Sequence, residues 1–313
     1  MGNWNFCGHS IPAGEVVQAM ISPNVEGQEM PATLINGAKE GKTVLITAAA
    51  HGDEYPGIAA SIQFAKAIDP AVTAGRIIIF HCVNIGGFWE RTRNTTDNAN
   101  LNGNFPGDAN GAEGARIADF FVKSVLPQVD FLIDLHSGSA TTMLTPCLFF
   151  SAGAEDKVRQ ASETAAHATN IPYLLASRSS AGLYSFAATS MGIPSLLLER
   201  GHGGQCRDEW VKAFIVDIQL LLAHLKVYPY QHEGGLCQKH VIEQGNFINA
   251  KETGLWYPNM VVGEHVKKGD VIGRMEDFWG NLISEYYAQT DGTVFYYVTS
   301  LAVQEGQPLA AYG

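Results

Sequence analysis

The amino-acid sequence predicts an α/β fold, in which a mixed, mostly parallel sheet is flanked by helices and followed by a smaller all-β domain. From about residue 42 to residue 226, short apolar runs alternate with helix-like segments, which is typical of a buried, largely parallel sheet. Past Val227 the chain changes to short alternating runs separated by turn residues. The 313 residues are 46% hydrophobic and 16% charged, so the chain can bury a sizeable core and should divide into about two domains.

The elements of the first domain follow from apolar runs and the turn residues that bound them. Strands are predicted at 43–48, 77–83, 131–135, 147–150 and 194–198, and helices at 57–68, 112–125, 154–169, 182–190 and 208–226. Between them, residues 84–113 form a long stretch rich in Asn and Gly, and a loop of that length usually has a function. We therefore predict a catalytic domain at 1–230, with its core at about 40–226, and a β domain at 231–313.

The composition also limits which partners and which cellular location we expect. Lys and Arg total 20 against 31 Asp and Glu, and a net charge of −11 repels nucleic-acid phosphates and anionic lipid surfaces. The apolar runs are too short to span a bilayer, and the first residues lack the pattern of an export signal. Five widely spaced cysteines without a CxxC pair indicate reduced thiols. We expect a cytoplasmic protein with a small-molecule substrate and no nucleic-acid or membrane partner, and leave a homo-oligomer open.

Three predicted strands end in residues suited to metal-dependent hydrolysis. One strand runs into His51 and Glu54, a second ends at His136, and a third delivers Glu199. The carboxyl edge of a parallel sheet is where α/β proteins bind ligands, and two His with one Glu form the open ligand set of catalytic zinc. A carboxylate that is not needed as a ligand suits a general base. In the alternative, structural reading, the two His are polar residues of tight turns and Glu199 pairs with Arg200.

These residues belong to a wider set of motifs that resembles the succinylglutamate desuccinylase/aspartoacylase family of the zinc carboxypeptidase superfamily. The resemblance covers about residues 40–225 and is carried by 50–54, Asn84 with Phe88, 93–107, 134–136 and 192–201. It implies a zinc-carboxypeptidase-like catalytic domain. The C-terminal segments 262–273 and 290–294 resemble a lipoyl/biotinyl-type barrel, although no Lys stands where a prosthetic group would be attached.

The resemblance also implies roles for individual residues. His51, Glu54 and His136 would bind one Zn²⁺ per chain, and Glu199 would activate water and later protonate the leaving amine. Arg93 would polarise the scissile carbonyl, and a fixed positive donor of this kind is what a developing oxyanion needs. The implied activity is hydrolysis of the amide or ester bond of a small N-acylated amino acid or related amine.

One position departs from the family pattern. Where the family has Asp-Leu-Asn-Arg, this chain reads Asn100-Leu101-Asn102-Gly103, so Asn102 is kept and the carboxylate-binding arginine is replaced by Gly103. Either the substrate lacks the usual carboxylate, or another cation such as Arg178 or Arg200 replaces the missing one. One alternative is a metallocarboxypeptidase that acts on peptides, although Gly103 speaks against it because recognition of a C-terminal carboxylate normally uses the missing arginine. The same replacement motivates a second alternative, a zinc-binding pseudoenzyme that binds a metabolite or a protein.

Overall fold

The computed structural model describes residues 2–313, and its largest feature is a nine-stranded mixed sheet. Numbered along the chain, the strands of the molecule are β1 (Trp4–Phe6), β2 (His9–Ile11), β3 (Glu15–Ile21), β4 (Met30–Asn36), β5 (Lys39–Ala48), β6 (Ala74–Phe80), β7 (Phe131–His136), β8 (Thr142–Leu144), β9 (Cys147–Ser151), β10 (Tyr173–Ser177), β11 (Ser195–Glu199), β12 (His240–Ile242), β13 (Asn246–Asn249), β14 (Gly254–Pro258), β15 (His265–Val266), β16 (Val271–Glu276), β17 (Leu282–Tyr287), β18 (Gly292–Val298), β19 (Ala302–Val303) and β20 (Pro308–Tyr312). The α-helices are α1 (Pro56–Ala67), α2 (Ile85–Glu90), α3 (Glu113–Phe120), α4 (Asp156–His167), α5 (Leu183–Met191) and α6 (Asp208–His224).

The nine-stranded sheet has the order β12-β10-β9-β11-β7-β5-β6-β4-β3. Five of its eight strand contacts are parallel, which confirms the predicted mixed sheet flanked by helices. Helices α1, α4 and α6 cover one face, and α3 with α5 cover the other. Strands β5, β7 and β11 are neighbours and parallel, so their carboxyl ends meet at one edge.

The strands after β12 form two antiparallel sheets around a core of their own. One sheet has the order β13-β20-β18-β15, the other has the order β17-β16-β14-β19, and Trp256 and Met275 are buried between them. This unit is attached to the main sheet at two places, because β12 pairs with β10 and β8 pairs with β18. The main sheet therefore takes a strand from beyond residue 230, inside the segment that we assign to the β domain from the sequence.

Four strands lie before residue 43, where the sequence predicted no element. Strands β3 and β4 extend the main sheet beyond β6 by antiparallel pairing. The outermost strand, β3, is exposed or half-buried at six of its seven residues, so it lacks the apolar run by which buried strands are recognised. Within the described residues 2–313, no helix is long and apolar enough to cross a bilayer.

The buried His81 predicts a pH dependence of stability. Burial lowers its pKa to about 4. Its ring nitrogens contact Thr33 Oγ1 at 2.8 Å and Ser61 Oγ at 2.9 Å. In the unfolded chain His81 takes up a proton near pH 6.5, whereas in the folded chain it does so only near pH 4. The folded protein therefore loses stability as the pH falls from 6.5 to 4, by at most about 3 kcal/mol.

The measurement is the free energy of unfolding by denaturant between pH 7 and 4. The His81→Gln variant should lose less stability across this range than the unmodified protein. The exposed His265 provides the matched control, and His265→Gln should retain the original slope. Equal slopes in all three proteins would contradict the assignment to His81.

Candidate active site

His51 and Glu54 lie in a tight turn that follows β5. The turn begins at Ala49, whose φ of 54° is left-handed, and its backbone accepts a hydrogen bond from Asn84 N at 2.9 Å. Gly52 then packs directly on the first turn of α2, where a Cβ atom would come within 2.0 Å of Gly87. Glycine is needed there because no side chain fits between the two backbones. This close approach holds His51 and Glu54 at the carboxyl edge of the sheet.

The structure brings together the three residues that we predicted as metal ligands. Glu54 Oε1 lies 2.8 Å from His51 Nδ1, and Glu54 Oε2 lies 3.0 Å from His136 Nδ1. All three side chains are buried, and one ligand atom from each lies within 4.8 Å of the others. The group therefore presents two imidazole nitrogens and a carboxylate toward a common point.

The charges in this group suit a cation. Burial alone would lower the pKa of His136. The negative charges of Asp134 and Glu54 outweigh this effect and hold that pKa well above its usual range. Burial would raise the pKa of Glu54, but the two imidazoles hold it well below its usual range. A carboxylate that faces two ring nitrogens in a buried place needs protons or a metal ion between them. Two imidazoles and one carboxylate are the ligands of catalytic zinc sites, so these residues fit a divalent metal.

Asp134 lies behind the metal-ligand group. Its Oδ1 accepts a hydrogen bond from Thr47 Oγ1 at 2.7 Å, and its Oδ2 lies 3.2 Å from His136 Nε2. A carboxylate behind a ligating histidine fixes the ring orientation and makes the ring a better donor to a metal. This position leaves the Nδ1 atom of His136 as the metal-facing nitrogen.

Glu199 lies at the carboxyl end of β11, directly beside His136 on β7. The side chain is half-buried in the wall of the active-site cavity, and its Oε2 atom is buried without a hydrogen-bond partner in residues 2–313. Burial, helped by the negative charge of Glu54, raises the pKa of Glu199 to about 8. The structure thus places a basic, uncommitted carboxylate next to the metal-ligand group.

Arg93 reaches the same place from the loop after α2. Its guanidinium donates to Glu54 Oε1 at 3.0 Å and to Ser139 Oγ at 2.9 Å. Asn84 holds this loop, because its side chain caps α2 and donates to the carbonyl of Asn94 at 3.1 Å. The side chain of Arg93 is 45% exposed, so its remaining donors can reach a ligand in the cavity.

Asn102 and Gly103 lie in a short helical turn on the other side of His51. The Nδ2 atom of Asn102 is 3.5 Å from His51 Nε2, and its Oδ1 atom is buried without a hydrogen-bond partner among the described residues. A Cβ atom at Gly103 would meet nothing within 4 Å. Gly103 is therefore not required for packing, and the position has room for a longer side chain.

The two cations named as replacements for the family arginine lie in different surroundings. The buried Arg200 donates from Nε to Asp217 Oδ2 at 2.5 Å and from Nη2 to the carbonyl of Asn170 at 2.9 Å. This pairing ties β11 to α6 and gives Arg200 a structural role, so we leave it out of the proposed site. Arg178 is exposed and lines a second cavity, which adjoins the one that contains Glu199.

The active-site cavity measures about 720 Å³ and is lined from both parts of the chain. Segments before residue 200 contribute Glu54, Arg93 and Glu199, and the C-terminal strands contribute Phe295 and Tyr296. Burial raises the pKa of Tyr296 to about 12, so the phenol is a neutral hydrogen-bonding group. Tyr296 could not be singled out from the sequence, because the pairing of β18 with the distant strand β8 helps to bring it to the cavity.

Comparisons with known proteins identify the family that this chain resembles and related solved structures. A sequence profile of the succinylglutamate desuccinylase/aspartoacylase catalytic domain matches residues 40–225. The N-alpha-acetyl-L-2,4-diaminobutyric acid deacetylase of Halomonas elongata is 29% identical over 279 residues, which cover 85% of this chain and 80% of that protein. The product-bound structure of the ectoine utilization protein EutE (DoeB) from Ruegeria pomeroyi superposes with a TM-score of 0.86, at 27% identity and 97% coverage of both chains. A succinylglutamate desuccinylase structure from Silicibacter sp. gives a TM-score of 0.82 at 27% identity, covering 96% of this chain and 95% of that one. The similarity therefore extends through the C-terminal strands.

Proposed function

This chain belongs to the succinylglutamate desuccinylase/aspartoacylase family, and from that premise we propose that it is a zinc-dependent deacylase, which hydrolyses the amide bond of a small N-acylated amino acid or related amine. The proposal depends mainly on the position of Glu199. Glu199 lies beside His136 at the end of β11 and lines the cavity, and its Oε2 atom has no hydrogen-bond partner among the described residues. A protein that only binds a metabolite has no use for an unpaired acid in this position.

Each residue of the site has a separate task in this reaction. A Zn²⁺ ion held by His51, Glu54 and His136 would supply Lewis acidity and make water a better nucleophile near neutral pH. Glu199 takes the proton of the attacking water as the new C–O bond forms. It then passes that proton to the amine nitrogen as the C–N bond breaks. The guanidinium of Arg93 donates to the carbonyl oxygen as negative charge develops on it. The products are a carboxylic acid and a free amine.

The first substrates to test are acylated diamino acids, because the Halomonas relative is named for one. The experiment is an amine-release assay on zinc-loaded protein with Nα-acetyl-2,4-diaminobutyrate and with N-acetyl and N-succinyl amino acids. We expect hydrolysis of at least one compound, loss of activity after dialysis against a chelator, and recovery when Zn²⁺ is added. Zinc-loaded protein that releases no amine from any compound would favour the metabolite-binding alternative.

The open space around Gly103 allows a test of whether the substrate carboxylate binds near this position. Because the position has room for a side chain, Gly103→Arg should fold and place a bidentate carboxylate donor near Asn102. We expect kcat/KM for free N-acyl amino acids to rise about tenfold relative to their amides. The comparison is the acid-to-amide ratio in the variant and in Gly103→Gln, which adds length without charge. An unchanged ratio would place the substrate carboxylate elsewhere.

A further inference from the structure

A second cavity lies beside the active site. It measures about 780 Å³ and shares Phe149, Leu175 and Phe247 with the active-site cavity. Ligand pockets for molecules of drug size have volumes of roughly 300–1,000 Å³, so the active-site cavity alone is large enough for a small N-acylated amino acid. The second cavity is therefore additional space along the same wall of the sheet.

The lining of this second cavity is partly apolar and partly polar, with a single cation. Phe149, Leu175 and Phe247 form part of the wall, and Arg178 is the one basic residue among the lining residues. Glu243 is the one acidic residue there, and its Oε1 lies 3.9 Å from Arg159 on α4. Arg178 is left as the cation of the cavity without a carboxylate partner in residues 2–313. One guanidinium beside apolar walls suits a carboxylate at the end of an apolar chain.

The pairing of the strands gives the approximate distance between Arg178 and Glu199. Glu199 pairs with Cys147, and Cys147 pairs with Tyr173. Ser177, the residue before Arg178, lies four residues further along β10, which places its Cα roughly 16 Å from that of Glu199. An N-acyl amino acid holds its carboxylate carbon only three bonds, roughly 4 Å, from the scissile carbonyl carbon. Such a substrate is too short to occupy both places.

We propose that the second cavity is a substrate subsite, in which Arg178 binds a carboxylate on an extended acyl or amine group. This inference rests on the proposed deacylase function. The substrate class is an N-acylated compound with an anionic group on the order of 10 Å from the scissile carbonyl, because an extended Arg178 side chain covers part of the roughly 16 Å between the two strand ends. Two kinds of compound have this chemistry: amides of long dicarboxylic acids, and N-acetyl derivatives of long ω-amino acids or dipeptides.

The experiment compares substrates that differ only in length and terminal charge. One series contains amides of dicarboxylic acids from succinyl to suberyl, and the other contains N-acetyl ω-amino acids of increasing length. Each acid is assayed beside its methyl ester. We expect kcat/KM for the long acids of one series to exceed that of their esters by at least about tenfold, mainly through KM. The series that shows the preference identifies the side of the amide that enters the second cavity.

Variants then assign the preference to Arg178. Arg178→Gln should abolish the acid-to-ester preference, Arg178→Lys should retain part of it, and Arg274→Gln should keep it because the exposed Arg274 lines neither cavity. Long acids and esters hydrolysed equally well, or an equal loss in Arg274→Gln, would overturn the subsite. Hydrolysis of short N-acetyl amino acids in the same assays would show that only the subsite has failed. If no compound is hydrolysed, the deacylase function and the subsite fall together.

Discussion

Replacing Glu199 with Gln is expected to lower kcat about 10²- to 10⁴-fold, which is the range that general acid–base catalysis contributes. The amide has the same shape as the carboxylate but cannot take a proton from water or give one to the leaving amine. Because Glu199 is not one of the three ligands, the variant should keep a full equivalent of zinc. The measurements are steady-state kinetics and metal content on the same preparation.

Glu54→Gln is the matched control, because it makes the same chemical change at a ligand instead of at the base. This variant should lose activity and zinc together. A second readout is the stability of the metal-depleted protein. The folded chain holds the Glu199 proton up to a pH of about 8, whereas the unfolded chain releases it near 4.5, so the carboxylate costs stability as the pH rises through this window. Glu199→Gln should remove that loss. A Glu199→Gln variant with kcat within tenfold of the unmodified protein would refute the role of base.

Replacing Arg93 with Met is expected to lower kcat about 10²- to 10³-fold, as does the loss of one oxyanion donor in other acyl-transfer enzymes. The guanidinium is held by Glu54 and Ser139 and still presents free donors to the cavity. Its charge matters most when the carbonyl oxygen becomes negative, so kcat should fall more than KM rises. Arg93→Lys should recover part of the loss, because it restores the charge without the planar donor geometry.

Arg91 is the control for Arg93, since the two residues lie in the same loop and carry the same charge. Arg91 lies in an apolar surface groove with Trp89 and Tyr55, away from the active-site cavity. Arg91→Met should therefore change kcat by less than about twofold, as is typical of surface substitutions with small energetic effects. An equal loss of kcat in the two variants would indicate an effect of total charge and would contradict the assignment to Arg93.

The metal-ligand group was predictable from the sequence because its geometry is largely local. His51 and Glu54 are three residues apart in one turn, and His136 follows an apolar strand that can only be buried. Parallel pairing of buried strands then brings both turns to one edge of the sheet. Five of the six α-helices before residue 230 were predicted to within a few residues, since each of them buries one apolar face, whereas α2 lies in the stretch 84–113 that we assigned to a loop.

The remaining features depend on contacts between distant parts of the chain. Arg200 follows Glu199 directly and was a reasonable carboxylate donor, but helix α6 packs Asp217 against it. Tyr296 lies on a strand of the C-terminal unit, and its position beside Arg93 follows from the pairing of β18 with β8. Neither contact leaves a periodic signal in the amino-acid sequence.

The active-site cavity is lined by two parts of the chain, and we expect the two parts to contribute differently. One part carries the groups assigned to catalysis, and the other shapes the wall that a substrate contacts. The groups to which we assign proton transfer and metal binding come from the ends of β5, β7 and β11, whereas part of the facing wall comes from residues after 240. Substitutions at wall positions such as Phe295 and Ala311 should alter the shape of the cavity without altering those groups. The range of substrates that fit should therefore be adjustable through the C-terminal strands while the groups assigned to hydrolysis stay unchanged.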